Sequence, residues 1–190
     1  MINVIITSFF LGIGLAMDAT AVSMANGMNE PCMKLKKITI VALMFGLFQG
    51  LMPFTGYLLG SMILRKIEWL IPWVALILLS FIGVKMLIEG IKNKESVCEE
   101  KKKLTMKILF IQAIATSIDA LSVGFTISNY TFIEALVASL IIALVTFVIC
   151  IFAVYIGKKF GTRFGNKAEI LGGIILVLIG IEIFVTGIFK

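Results

Sequence analysis

Residues 132–157 read FIEALVASLIIALVTFVICIFAVYIG. A hydrocarbon core about 30 Å thick is crossed by about 20 predominantly apolar residues in helical form, so this stretch predicts a transmembrane helix. Outward from it, five more runs of the same kind lie near residues 3–25, 38–64, 69–91, 108–128 and 170–189. The fold class expected is therefore an all-α integral membrane protein with six transmembrane helices, in one membrane domain over 1–190.

Composition agrees. Of 190 residues, 60% are hydrophobic and 15% charged, against roughly 25% charged in soluble domains, and the mean hydropathy is +1.10. A water-soluble domain of useful size does not fit beside the apolar runs. No G-x-x-x-x-G-K-[ST] phosphate loop is present, which argues against direct drive by ATP. No nucleophile–base pair or cofactor motif is apparent, so neither an enzyme nor a bound cofactor is expected. Histidine is absent, removing the commonest ligand for zinc, copper and nickel. The first run lacks a basic n-region and a small-residue cleavage site and carries Asp18, so it reads as a retained helix rather than a signal peptide.

The net charge of +6 reflects topology rather than nucleic-acid binding, because the lysines flank apolar runs. Lys34, Lys36 and Lys37 fall in the first connector. Lys92, Lys94, Lys101, Lys102, Lys103 and Lys107 fall in the third, and Lys158, Lys159, Arg163 and Lys167 in the fifth. The other side holds Arg65, Lys66 and Lys190. Short loops rich in Lys and Arg stay in the cytoplasm, so both termini are expected outside it. The Glu99-to-Lys103 run then belongs to a solvated cytoplasmic connector, 92–107. The odd cysteine count and the lack of C-x-x-C spacing give no disulfide framework, and Cys32 and Cys98, facing a reducing compartment, are expected as free thiols.

The chain also repeats itself. Ile82-Gly83-Val84-Lys85 matches Ile179-Gly180-Ile181-Glu182 at an offset of 97, and Met17-Asp18-Ala19 with Val22 matches Ile118-Asp119-Ala120 with Val123 at an offset of 101. The four-residue difference is assigned to a connector or helix end. Copies of three spans each, residues 1–91 and 108–190, must insert in opposite senses, which gives two inverted three-helix repeats. Such repeats characterise secondary transporters with sites near the midplane.

Asp18 and Asp119 would stand near the bilayer centre, facing each other. A central Asp costs about 2.5–3.5 kcal/mol on insertion scales, so a pair points to a bound cation, a proton or a paired base. At 100° per residue, Gln112, Thr116, Ser122 and Thr126 fall within about 60° of Asp119, forming one polar stripe; interhelical hydrogen bonding is the structural alternative. Carboxylate and carbonyl oxygens suit Mg²⁺, Ca²⁺ and Mn²⁺. Met17 beside Asp18 could add a softer thioether ligand or simply pack. Gln49 could offer an amide oxygen or an interhelical bond. Gly46, Pro53 and Gly56 share its helix face and predict close approach with a break or kink near Pro53. Lys85 and Glu89, four apart, suit pairing or snorkelling. Glu182, deeper, suits a proton path or a pair.

Met17-Asp18-Ala19, Phe45-Gly46 with Gln49, Pro53 and Gly56, Ala115-Thr116-Ser117-Ile118-Asp119-Ala120 with Val123-Gly124, and Lys167-Ala168-Glu169-Ile170-Leu171-Gly172-Gly173 together resemble the MntP-type manganese efflux pumps of bacteria. The resemblance spans essentially the whole chain. It implies export of Mn²⁺ from the cytoplasm across the bacterial plasma membrane, with Mn²⁺ as substrate rather than cofactor, and functional importance for Asp18 and Asp119. The chain departs from the pattern at Gln49, acidic in some members, and at Glu182, neutral in others; metal preference is most exposed to those differences. From the residues alone the reading reaches a divalent cation. Proton antiport is a plausible drive. The competing readings are an exporter of a small organic cation or amino acid, and a membrane scaffold or assembly protein. Six short helices can enclose a site alone, with a homodimer as the alternative.

Overall fold

The computed structural model describes residues 1–64, 71–92, 104–127, 130–164 and 166–188. Among these the chain is helical and has no strand. The helices are α1 (Ile2–Asn29), α2 (Leu35–Leu64), α3 (Ile71–Lys92), α4 (Met106–Thr116), α5 (Ile118–Thr126), α6 (Phe132–Phe164) and α7 (Asn166–Ile188). Four segments, Ile2–Asn29, Leu35–Leu59, Met106–Gly124 and Phe132–Arg163, are long and apolar enough to cross a membrane. Among the described residues, each of the six apolar runs coincides with helix, the run at 108–128 being divided between α4 and α5.

The distribution of side chains is that of a lipid-facing bundle. Phe10, Leu144 and Phe152 point outward, while Ala16, Ala19, Ala25, Gln49 and Gln112 are fully buried. In lipid there is little hydrophobic drive between helices, so close packing of small residues and interhelical hydrogen bonds hold them together. α1 lies along α6 and α3 along α7, while α2 packs on α6, α5 and α4. The main interfaces therefore join early helices to late ones.

Two crossings bring backbones together. A Cβ on Gly157 in α6 would collide with the Met24 carbonyl of α1, and one on Gly27 would stand 2.5 Å from the Val154 carbonyl oxygen. Likewise, a Cβ on Gly56 in α2 would strike the Leu121 carbonyl of α5, and one on Gly124 the Pro53 carbonyl. At the α2–α6 contact, Gly46 faces the Ala143 carbonyl, at 2.8 Å from its ideal Cβ, and the Phe147 side chain.

Several expectations change. α6 continues to Phe164, placing Lys158, Lys159 and Arg163 on the last turns of a helix rather than in a connector. At 1.5 Å per residue, its 33 residues exceed the hydrocarbon thickness, so a lysine-bearing end projects from the apolar layer. α2 is unbroken through Pro53. The missing proline N–H leaves the Gln49 carbonyl without its helical donor, but neighbouring turns carry the helix past it. Cys32 is disulfide-bonded, not a free thiol: expected compartment chemistry does not determine which sulfurs the fold brings together. Cys98, most of the 92–107 connector, Arg65, Lys66 and Lys190 lie outside the described residues.

Candidate functional site

The site is organised by the interruption between α4 and α5. Ser117 (φ −105°, ψ 3°) ends α4, its N–H donating to the Ile114 carbonyl at 3.1 Å. Its hydroxyl donates to the Ala113 carbonyl at 2.6 Å, and that of Thr116 to the Gln112 carbonyl at 3.0 Å. Hydroxyls thus satisfy carbonyls that a terminating helix would otherwise orphan. A new helix begins at Ile118 and places Asp119 in its first turn, where the positive end of the dipole favours a carboxylate. Asp119 Oδ1 accepts the Ala120 N–H at 2.7 Å.

The break at Ser117 interrupts the span along which continuous 100° steps give a single polar stripe. Gln112 and Thr116 are buried, whereas Asp119 is exposed and Ser122 half-buried. Gln112 is committed to a reciprocal amide pair with Asn26 of α1. The side chain of Thr126 lies outside the described residues.

Around Asp119 three other helices contribute. Half-buried Asp18, on α1, interacts electrostatically with it, and Glu182 on α7 acts in turn on Asp18. Gln49 of α2 lies within hydrogen-bonding reach of the Asp119 carboxylate, while its Nε2 donates to the Leu15 carbonyl of α1 at 3.0 Å. The Gln49 Oε1 is fully buried and has no hydrogen-bond partner. Burying an amide oxygen unpaired costs roughly 1–3 kcal/mol, and a cation or a water would relieve that cost. Carboxylates are hard oxygen donors of the kind that suits divalent cations, and two of them lie near each other here with the Gln49 amide beside Asp119. Among the described residues no group of three His, Cys, Asp or Glu is gathered for metal binding, so neutral oxygens or water would have to complete a shell.

The remaining candidates have other positions. Met17 is 71% exposed, on a different side of α1 from its fully buried neighbours Ala16 and Ala19. Lys85 is half-buried and Glu182 exposed; the Glu89 side chain lies outside the described residues. Gly46 and Gly56 serve close approach, and the Pro53 carbonyl faces Gly124. Two further polar residues of α1, Asn26 and Ser23, are buried. Asn26 is the partner of Gln112, Ser23 lies beside the Cys150 thiol of α6, and Ser139 and Thr146 of α6 have buried hydroxyls lacking a hydrogen-bond partner. The adjacent Thr116-Ser117 hydroxyls were the available sign of the helix interruption.

Residues 32–184 match the protein-family model Mntp, described as "Putative manganese efflux pump". The chain is 44% identical over 179 residues to the "Putative manganese efflux pump MntP" of Ruminiclostridium cellulolyticum, covering 94% of each chain. It is 42% identical over 208 residues to the protein of that name from Clostridium perfringens, covering 98% of this chain and 97% of the relative. A third, from Campylobacter fetus, is 41% identical over 179 residues, covering 93% and 96%. No solved structure matches.

Proposed function

The chain belongs to the Mntp family, and on that premise we propose that it is a secondary transporter exporting Mn²⁺ from the cytoplasm through a site built on Asp18 and Asp119. The observation that carries this reading is the electrostatic proximity of those two carboxylates, with the Gln49 amide within hydrogen-bonding reach of Asp119. A divalent cation offsets the repulsion of the carboxylates and occupies an open oxygen. Thr116 and Ser122, three residues before and after Asp119 on either side of the helix break, are the neutral oxygens assigned to complete the shell. Gln112 supports the site through Asn26, and the outward position of Met17 argues against a thioether ligand. Carboxylates that alternately hold metal and proton would couple export to proton entry, with Glu182 as the acidic group facing Asp18.

An inverted repeat supports transport. The close approaches occur in pairs: Pro53 and Gly56 against Gly124 correspond to Val154 and Gly157 against Gly27, with numbers displaced by 101 in one helix and 97 in the other. Gly83 against Gly173 and Val177 corresponds to Gly180 against Leu76 and Ser80, displaced by 97. In this reading the four-residue difference falls within the aspartate-bearing spans, not only at a connector. Asp119 then stands one helical turn, about 6 Å, nearer its crossing glycine than Asp18 does. The basic ends of α2, α4 and α6 support a topology with those ends in the cytoplasm and both termini outside.

Cell-associated manganese tests this function, with iron, zinc, magnesium and calcium as controls, in manganese-challenged cells lacking the protein. Wild type should lower manganese alone and Asp119→Asn should not. Unchanged metals despite membrane expression of wild type would overturn Mn²⁺ export and bring forward the organic-solute and scaffold readings.

A further inference from the structure

Two hydrogen bonds clip connectors at opposite ends of the bundle. Lys158 Nζ, near the end of α6, donates to the Met33 carbonyl just before α2 at 2.6 Å. Tyr57 OH, near the end of α2, donates to the Tyr130 carbonyl just before α6 at 3.0 Å. Each donor follows a crossing glycine, Gly157 or Gly56, by one residue. Tyr57 and Lys158 are displaced by 101, as are Gly56 and Gly157; Met33 and Tyr130 are displaced by 97, as are Gly27 and Gly124. The two bonds are thus one arrangement made twice, once at each end.

Both bonds bear on the same pair of helices. α2 and α6 meet where Gly46 and Gly50 pack on Ala143, Phe147 and the Ser139 carbonyl. That contact has too little free space for the helices to slide together. Motion between them is most easily a rocking about it, with separation at one end accompanied by closure at the other. Lys158 holds the beginning of α2 to the end of α6, and Tyr57 holds the beginning of α6 to the end of α2. Gln49 lies on α2 between the two glycines' turns, so this rocking would open its surroundings first to one side and then to the other. At the Lys158 end Glu30 adds a second link, accepting the Leu104 N–H at 3.0 Å and pairing with Lys37.

We propose that Lys158 and Tyr57 are positioning residues that latch two alternating gates, Lys158 at the cytoplasmic end and Tyr57 at the outer end. The proposal rests on the transport reading for its need of alternation, but not on which ion is carried. Opening the cytoplasmic gate requires release of Met33 by Lys158; opening the outer gate requires release of Tyr130 by Tyr57.

Hydrogen–deuterium exchange of the full chain in lipid nanodiscs, without added metal, tests it. Lys158→Met retains an unbranched stem but no donor, and Tyr57→Phe removes one hydroxyl. Lys158→Met should speed exchange over residues 33–40 and slow it over 130–137. Tyr57→Phe should do the reverse, and Lys158→Arg should retain the wild-type pattern. A purely local role would speed exchange beside the lost bond without slowing it at the far end, and that result would overturn the proposal. If Lys158→Met does not fold, Tyr57→Phe decides by the same criterion. Reciprocal exchange in a protein that fails to export manganese would overturn the cargo and leave the latches; manganese export with only local exchange changes would do the opposite.

Discussion

Asn26 of α1 and Gln112 of α4 face each other as a closed amide pair: Asn26 Nδ2 donates to Gln112 Oε1 at 2.8 Å, and Gln112 Nε2 donates to Asn26 Oδ1 at 3.2 Å. Both side chains are buried, so each is the other's substitute for water. Replacing one alone, as in Asn26→Leu or Gln112→Leu, strands the partner and should cost about 1–3 kcal/mol. The double replacement should cost less than the sum, because it strands neither. Coupling between buried polar pairs in membranes averages about 0.6 kcal/mol, with a maximum near 1.7. Reversible unfolding in mixed micelles measures all three variants, and strict additivity would refute the pairing.

Gln112 illustrates how far the sequence could be read. Hydropathy located the spans, since a run of about 20 apolar residues has few alternatives, and the cost of intramembrane charge directed attention to Asp18 and Asp119. Which face of a span meets which neighbour depends on packing. Gln112 therefore turned to Asn26 although its angle predicted the direction of Asp119. The break at Ser117 contains neither glycine nor proline, and serine and threonine often back-bond inside unbroken helices. The length of α6 was concealed by Lys158 and Lys159, which read equally as connector and as the projecting end of a helix.

Glycine positions separate close packing from mere tolerance. At Gly14 an added Cβ meets nothing within 4 Å, while at Gly157 it runs into the Met24 carbonyl and at Gly124 into that of Pro53. Gly14→Ala should leave thermal stability unchanged or slightly raised. Gly157→Ala and Gly124→Ala must separate two backbones, an overpacking cost of about 1–3 kcal/mol, and should lower the melting temperature of monodisperse protein. Equal melting of all three would show that these crossings do not limit stability.

Gln49 provides a test of the open oxygen. Gln49→Leu is close in size but removes both the donor to Leu15 and the unpartnered acceptor. Gln49→Glu retains acceptor oxygens beside Asp119. A residue orienting or completing a metal site is worth roughly 10–100-fold in affinity or activity, so manganese efflux by Gln49→Leu should fall by that order, with Gln49→Glu retaining more. Efflux from manganese-loaded cells, normalised to membrane expression, measures it. Wild-type efflux by Gln49→Leu would remove Gln49 from the site.

Binding should also be visible without transport. A ligand held only by the folded protein stabilises it by about 2.7 kcal/mol when its free concentration is 100 times its dissociation constant. Mn²⁺ should therefore raise the melting temperature of the purified protein in a saturable way, and a chelator should reverse the rise. In Asp18→Asn the shift should shrink, since one charge of the facing pair is gone. It should be smallest in Asp119→Asn, because Asp119 is the carboxylate that both Asp18 and Gln49 approach. Thr162→Ala, on the exposed end of α6, should respond as wild type does. An equal Mn²⁺ shift in wild type and both aspartate variants would place the metal elsewhere, whereas a shift lost only in the aspartate variants would tie binding to the carboxylates of Asp18 and Asp119.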